Sequence, residues 1–240
     1  MAHELEAAPK AQPSKRRSRL AASALEGLSA CVIAMLAASS AQAALITSAT
    51  DIQQSYVVVD FSQFNSDTYL TATPVQVGSL VQSDVTAIGV GPFQRILVSI
   101  DFTIGGNGQW TTARDGYVSS NSGGGSITFS FNNGPVSTVG GLMNYALYTE
   151  PVLIQALDSG GAVLESYDVD AVAPISTPGG TDEGAFRGIA RASADISAFR
   201  FTGVFTLLDD LTFSVPEPGT FALLSLGLLG LGFTARRRLQ

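Results

Sequence analysis

The stretch Ser126-Ile127-Thr128-Phe129-Ser130-Phe131 alternates polar and apolar residues. A period of two puts one face of a strand against a core and the other toward solvent. Similar segments recur along the middle of the chain. Tyr56–Phe61, Gln94–Phe102, Ile196–Phe201 and Val204–Phe213 are rich in β-branched and aromatic residues. Val152–Leu157 and Ala162–Tyr167, joined by Asp158-Ser159-Gly160-Gly161, read as a hairpin. Turn clusters punctuate the set: Gly105-Gly106-Asn107-Gly108, Gly123-Gly124-Gly125, Asn132-Asn133-Gly134-Pro135 and Thr177-Pro178-Gly179-Gly180. No helical period interrupts them. This pattern predicts an all-β sandwich or barrel, and a region of about 170 residues is ample for one core.

The two ends are different in kind. Lys15 to Arg19 forms a positive n-region, Ala30 to Ala38 a short apolar run, and Ala41-Gln42-Ala43 an A-x-A site. Together they predict a signal peptide over 1–43, cut by signal peptidase so that Ala44 opens the mature chain. Leu28-Ser29-Ala30-Cys31 offers a rival reading as a lipoprotein box, but the stretch before it carries Glu26 and Gly27 and makes a poor apolar segment. At the other end, Gly219 to Ala235 is free of charge and is followed by Arg236, Arg237 and Arg238. As a helix it would extend roughly 25 Å, the low end for crossing a bilayer core. The arginines would hold the C-terminus in the cytoplasm, and Pro216 and Pro218 would stop the helix from extending upstream. The expected layout is thus a signal peptide (1–43), a β-domain (44–214), and a tail (215–240) with a short transmembrane helix.

Charge and composition exclude several functions. Between Ala44 and Val215 stand five arginines, no lysine and sixteen acids, a net of −11. A nucleic-acid partner needs a basic surface to meet phosphates, so none is expected. The cysteine (Cys31), the histidine (His3) and both lysines (Lys10, Lys15) precede the expected cleavage point. A mature chain beginning at Ala44 would therefore lack the His base of a hydrolytic triad, the usual zinc ligands and a Schiff-base lysine. Carboxylate chemistry remains, and sixteen acids make some glycosidase-like pair inevitable in any fold.

Val215-Pro216-Glu217-Pro218, then an apolar segment, then the Arg236–Arg238 cluster, at the end of a chain, resembles the PEP-CTERM sorting signal. The resemblance implies recognition by exosortase, an inner-membrane sorting enzyme of Gram-negative bacteria that make exopolysaccharide. It implies a membrane-anchored precursor processed near Pro216-Glu217-Pro218, then delivery to the cell surface or extracellular matrix. In the second half of the β-region, the strand Ser126–Phe131, the Val152–Asp168 hairpin and the closing Leu208–Phe213 resemble in their order the jelly-roll β-sandwich ectodomains of PEP-CTERM proteins and, through them, carbohydrate-binding jelly rolls. A non-enzymatic role in exopolysaccharide or biofilm follows as the expectation, with a carbohydrate-binding module, and then a polysaccharide hydrolase, as alternatives.

Two sites are candidates within the β-domain. Counted by twos from Phe205, the residues Phe205, Leu207, Asp209, Leu211 and Phe213 share a face that is apolar except at Asp209. A buried carboxylate must be hydrogen-bonded, paired or metal-bound. The carbohydrate-binding jelly rolls that this chain resembles often hold a structural calcium through an acid near the last strand. Asp209 or Asp210, with Asp60, would take that place, although calcium needs six or more oxygens; a bulge or backbone N–H donors at Asp209 are the other reading. Trp110, in the Gly105–Thr111 loop with Arg114 and Tyr117 close in sequence, is a candidate for stacking on a sugar ring or, alternatively, an anchor that packs the loop onto its scaffold. Asp168, Asp170, Asp182 and Glu183 read as a solvated acidic loop.

Overall fold

The computed structural model describes residues 43–78, 84–148 and 150–215. The expected signal helix and transmembrane helix lie outside them; among the described residues no helix is long and apolar enough to cross a membrane. Fourteen strands follow in chain order: β1 (Ala44–Ile46), β2 (Tyr56–Val59), β3 (Thr68–Tyr69), β4 (Val75–Gln76), β5 (Val85–Val90), β6 (Gln94–Leu97), β7 (Phe102–Thr103), β8 (Gln109–Trp110), β9 (Tyr117–Phe131), β10 (Thr138–Tyr145), β11 (Leu153–Leu157), β12 (Val163–Asp168), β13 (Ala185–Ala190) and β14 (Ala198–Ser214). The expected hairpin is β11–β12. A four-residue helix, α1 (Val169–Val172), follows it.

The all-β sandwich is built around one ribbon. β9 and β14, of 15 and 17 residues, pair antiparallel from Ala198 opposite Ser130 to Leu208 opposite Val118. One half of the ribbon takes β5 and β4 on one side and β11 and β12 on the other. The second half takes β6 and β3 on one side and β10, β13 and β1 on the other, with β2 alongside the last residues of β14. The two halves fold over one another. Phe131 at the end of β9 meets Phe213 at the end of β14, ring centroids 4.8 Å apart, and Phe61 meets Phe129 at 6.0 Å. An antiparallel bridge between Val136 and Ile196 joins the layers at the same end. The Gly123-Gly124-Gly125 run, expected as a turn, lies inside β9; the segments Ile196–Phe201 and Val204–Phe213, expected as two strands, fall largely within one.

β14 changes the face it presents twice, and this corrects the counting by twos. Phe199 and Phe201 point into the main core. At Phe205 (φ 46°) the register with β9 shifts, and the core then receives Leu208. At Asp210 (φ 50°) an extra residue enters opposite β10, where the pairing passes from Leu142–Asp209 to Gly140–Thr212, and the core receives Leu211 and Phe213. Each bulge shifts the alternation by one residue. Phe205 and Leu207 therefore do not share a face with Leu211 and Phe213. They join Leu97, Phe102, Ile104, Trp110 and Tyr117 in a second, smaller apolar cluster on the other side of the layer, beneath the β7–β8 ribbon.

Close approach of β10 to β13 requires glycine. Gly140 pairs with Gly188, and a Cβ on Gly140 would stand 2.6 Å from the Arg187 carbonyl oxygen and 2.7 Å from the Gly188 Cα. Both obstacles are backbone, so the strands themselves must part. Gly140→Ala is expected to cost about 1–3 kcal/mol of stability, as overpacked interiors do; urea unfolding of the variant beside the parent checks this.

Candidate functional site

The β7–β8 ribbon and its turn are pinned to the segment before β13. Asn107 is wholly buried: its Nδ2 donates to Asn144 Oδ1 (2.9 Å) and the Tyr145 carbonyl (2.8 Å), and its Oδ1 accepts the Thr177 N–H (2.7 Å). The Gln109 N–H donates to the Gly180 carbonyl at 3.0 Å and the Asp182 N–H to the Gln109 carbonyl at 2.9 Å. Gly108 adopts φ 96°, and a Cβ there would meet the Gly180 oxygen at 2.5 Å. Only glycine combines that backbone with that proximity.

Behind the ribbon lies a charged network. Arg114 Nη1 donates to Asp209 Oδ2 at 2.6 Å, and Nη2 donates to the Asp182 carbonyl at 2.7 Å. The guanidinium lies 4.2 Å over the Trp110 ring. Trp110 is 0 % exposed; its Nε1 donates to the Glu183 carbonyl at 2.7 Å, and its ring meets Tyr117 edge-on at 5.4 Å. Trp110 thus presents no ring face to a sugar: it anchors the loop, as a buried aromatic with a polar handle does. Nor is Asp182 part of a solvated acidic loop. Its carboxylate accepts from the Thr111 N–H (2.7 Å) and Thr111 Oγ1 (2.8 Å).

The calcium candidates occupy different surroundings. Asp209 is 6 % exposed and already accepts from Arg114 and, at 2.7 Å, from the Asp210 N–H. Asp210 occupies the positive-φ position of the bulge. Asp60 is exposed and accepts from the Ser62 N–H (3.1 Å) and Ser62 Oγ (2.8 Å). Among the described residues no group of three or more His, Cys, Asp or Glu side chains is arranged to hold a metal ion. Asp182 and Asp209 do converge, but Arg114 holds both.

A feature absent from the sequence reading is the cleft in front of this network. It encloses about 470 Å³ between the glycine-rich segments 105–108 and 179–180, with Thr103, Gln109 and Thr181 in its walls and no charged side chain lining it. Tyr148, just after β10, stands beside Gly105, one of the residues of its wall. The ring is half exposed and rests on Phe205 at 5.8 Å, and its hydroxyl would be 3.7 Å from a Cβ built on Gly105. The available signal was an aromatic in the loop following a strand, the feature that drew attention to Trp110 instead.

The opposite end of the sandwich carries the junctions with the rest of the chain. β1 begins at Ala44, opposite Ala190, with Ala43 preceding it; Ala41 lies outside the described residues. β14 ends at Ser214, opposite Tyr56, and the Val215 N–H donates to the Ser55 carbonyl at 2.8 Å. Pro216, Glu217, Pro218, Arg236, Arg237 and Arg238 lie outside the described residues.

A β-sandwich joined without a spacer to a charge-flanked apolar tail has the layout of a sorted precursor. The chain carries a PEP-CTERM protein-sorting motif, whose family model matches residues 214–238. That motif implies export, a membrane-anchored precursor and processing by exosortase. No curated protein matches the chain by sequence. Among solved structures it is similar to CsCBM6-3 from Clostridium stercorarium in complex with cellobiose, at 16% identity and a TM-score of 0.32, covering 60% of this chain and 94% of that one.

Burial pushes the Asp209 carboxyl up to about 6, and the neighbouring Asp210 charge adds to this; Arg114 pulls the other way without cancelling it. A carboxyl raised above its unfolded value favours the protonated fold. Stability from Asp209 is therefore full below about pH 4 and is lost as pH rises through about 6, a change of about 3 kcal/mol. Asp195, held low by its hydrogen bond to Arg191, acts in the opposite sense and only at lower pH. Urea midpoints should fall between pH 4 and pH 7, and Asp209→Asn should flatten that slope.

Proposed function

We propose that the chain is the precursor of a non-enzymatic surface or extracellular-matrix protein of a Gram-negative bacterium that makes exopolysaccharide. Signal peptidase removes 1–43 between Ala43 and Ala44. The tail 215–240 holds the folded sandwich at the outer face of the inner membrane until exosortase acts near Pro216-Glu217-Pro218. The observation that carries this reading is the place where the sorting motif starts: its match begins at residue 214, the last residue of β14. A cut after that point leaves every strand of the sandwich whole. Intact mass of the protein recovered from surface and medium fractions is expected to give an N-terminus at Ala44 and a C-terminus close to Pro218. A chain still ending at Gln240 and confined to the inner membrane would overturn the matrix destination.

The cleft supports a second, compatible role as a glycan contact. Its walls offer backbone amides, threonine hydroxyls and an amide side chain without charge, and the half-exposed ring of Tyr148 stands beside Gly105 of that wall. Polar groups that fix a hydroxylated ligand beside an aromatic platform suit a neutral sugar. Tyr148→Ala should weaken retention on the host's own exopolysaccharide about tenfold, the equivalent of 1.4 kcal/mol, with the unfolding midpoint unchanged. A scaffold without sugar preference would show no difference in affinity electrophoresis.

A further inference from the structure

Ala44, Ala190, Thr138, Ser214 and Tyr56 form one row across a layer of the sandwich. Ala44 pairs with Ala190, Ala190 with Thr138, and Ser214 with Tyr56, while Ser214 Oγ accepts the Thr138 N–H at 3.1 Å. Ala44 and Ser214 are thus three strand spacings apart, about 14 Å. The residues on which the expected signal peptide and the sorting motif abut lie in one row at the same end of the layer. β10 runs away from this row, and Asn144, which holds the cleft loop through Asn107, is about 20 Å along it. The sandwich has a junction end and a cleft end.

The Val215 N–H, bonded to Ser55, is the last described backbone contact before the tail, and the charge-free stretch starts at Gly219. Four fully extended Cα steps cover at most about 14 Å. The headgroup layer takes up about 5–7 Å of that span. In an anchored precursor the end of β14 therefore stands no more than about 9 Å above the lipid headgroups. Exposed there are Gln53, Gln54 and Ser55 together with two apolar side chains of β2, and the exposed Asp51 and Asp60 bracket the run. Tyr56 (52 % exposed) and Val58 (46 %) project from the outer face of β2, which among the described residues pairs only with β14. The run Ile52–Val59 carries no charge, in a domain whose net charge is −11.

We propose that this end is a membrane-resting face: while the precursor is anchored, Tyr56 and Val58 sit in the headgroup region of the bilayer that holds the tail, and the cleft points outward. A tyrosine suits that position, with a ring for the acyl boundary and a hydroxyl for the headgroups. The proposal rests on reading the tail as a membrane anchor.

The test uses the full chain in a Cys31→Ser background, with Tyr56→Cys, Val58→Cys or, at the cleft end, Tyr148→Cys carrying an environment-sensitive fluorophore. Each is reconstituted into phosphatidylcholine–phosphatidylglycerol vesicles with and without a headgroup-level nitroxide lipid, and sedimentation with the vesicles is scored on the same samples. The expected result is a several-fold loss of fluorescence at positions 56 and 58 and little at 148, in chains that sediment with the lipid. Chains that sediment but show no loss at 56 and 58, or equal loss at 148, overturn the orientation while leaving the anchor intact. Chains that fail to sediment overturn the anchor reading and the orientation with it. Disulfide-linked dimers through Tyr56→Cys with an unquenched label at Val58→Cys would mean that β2 pairs with a second copy, which also overturns the proposal.

Discussion

The β9–β14 pairing is the contact on which the molecule depends. Both layers grow from it, and both ends of the ribbon meet again at the Phe131–Phe213 contact. A ribbon this long cannot remain flat and still bury one continuous face. The bulges at Phe205 and Asp210 solve this by changing which residues point inward, so that Phe201, Leu208 and Leu211 all reach one core from a single strand. The same shifts have a second effect. Between the two bulges, Phe205 and Leu207 are turned outward and need cover of their own. The β7–β8 ribbon supplies it, and the cleft exists because that ribbon lies there.

The Arg114–Asp209 pair belongs to the same logic. Asp209 lies within the outward-facing segment and is covered by the ribbon, where an unpaired carboxylate would be costly. Arg114 meets it, and Trp110 lies over Arg114. Replacing a buried ion pair with apolar groups is often neutral for stability, so the pair is better understood through what it positions. Through its bond to the Asp182 carbonyl, Arg114 connects β14 to the segment that forms one wall of the cleft. The network thereby supports the wall of the cleft without itself lining it.

Much of this was legible in the residues. Residue pattern identified β2, the second half of β9 and β14, and the Gly-rich hairpin joining Leu157 to Val163 was visible as such, but it marked none of β5, β10 or β13, and the strand expected over Gln94–Phe102 ends at Leu97. The tail motif could be recognised because its order of turn, apolar run and arginines is local. The face assignment of Asp209 was not legible, because a bulge is set by the opposing strand: the extra residue at Asp210 is defined only against Gly140 and Leu142. That Trp110 is buried and Tyr148 half exposed was not legible for a similar reason. Trp110 lies in the two-residue strand β8 and Tyr148 just after β10, and what separates them is tertiary: Glu183 and Arg114 close over the first, while Phe205 backs the second. Gly123–Gly125 misled because glycine marks turns and strand interiors alike, and the neighbouring strand decides which.

The end-to-end polarity of the sandwich separates the sorting junction from the cleft. In the proposed precursor, until signal peptidase acts, a signal segment at one terminus and an apolar tail at the other bring both junctions to the same membrane surface. A fold with its termini at opposite ends would place at least one junction several nanometres from the bilayer, and with no spacer after Val215 it would strain the last strand. Antiparallel layers with β1 and β14 ending in the same row remove that conflict by topology alone. The same topology sends the loops after β10 and before β13 to the far end. Whatever the cleft contacts is then separated from the processing site by the length of β10, so the precursor can fold and present its cleft before the tail is cut, and cutting the tail disturbs neither.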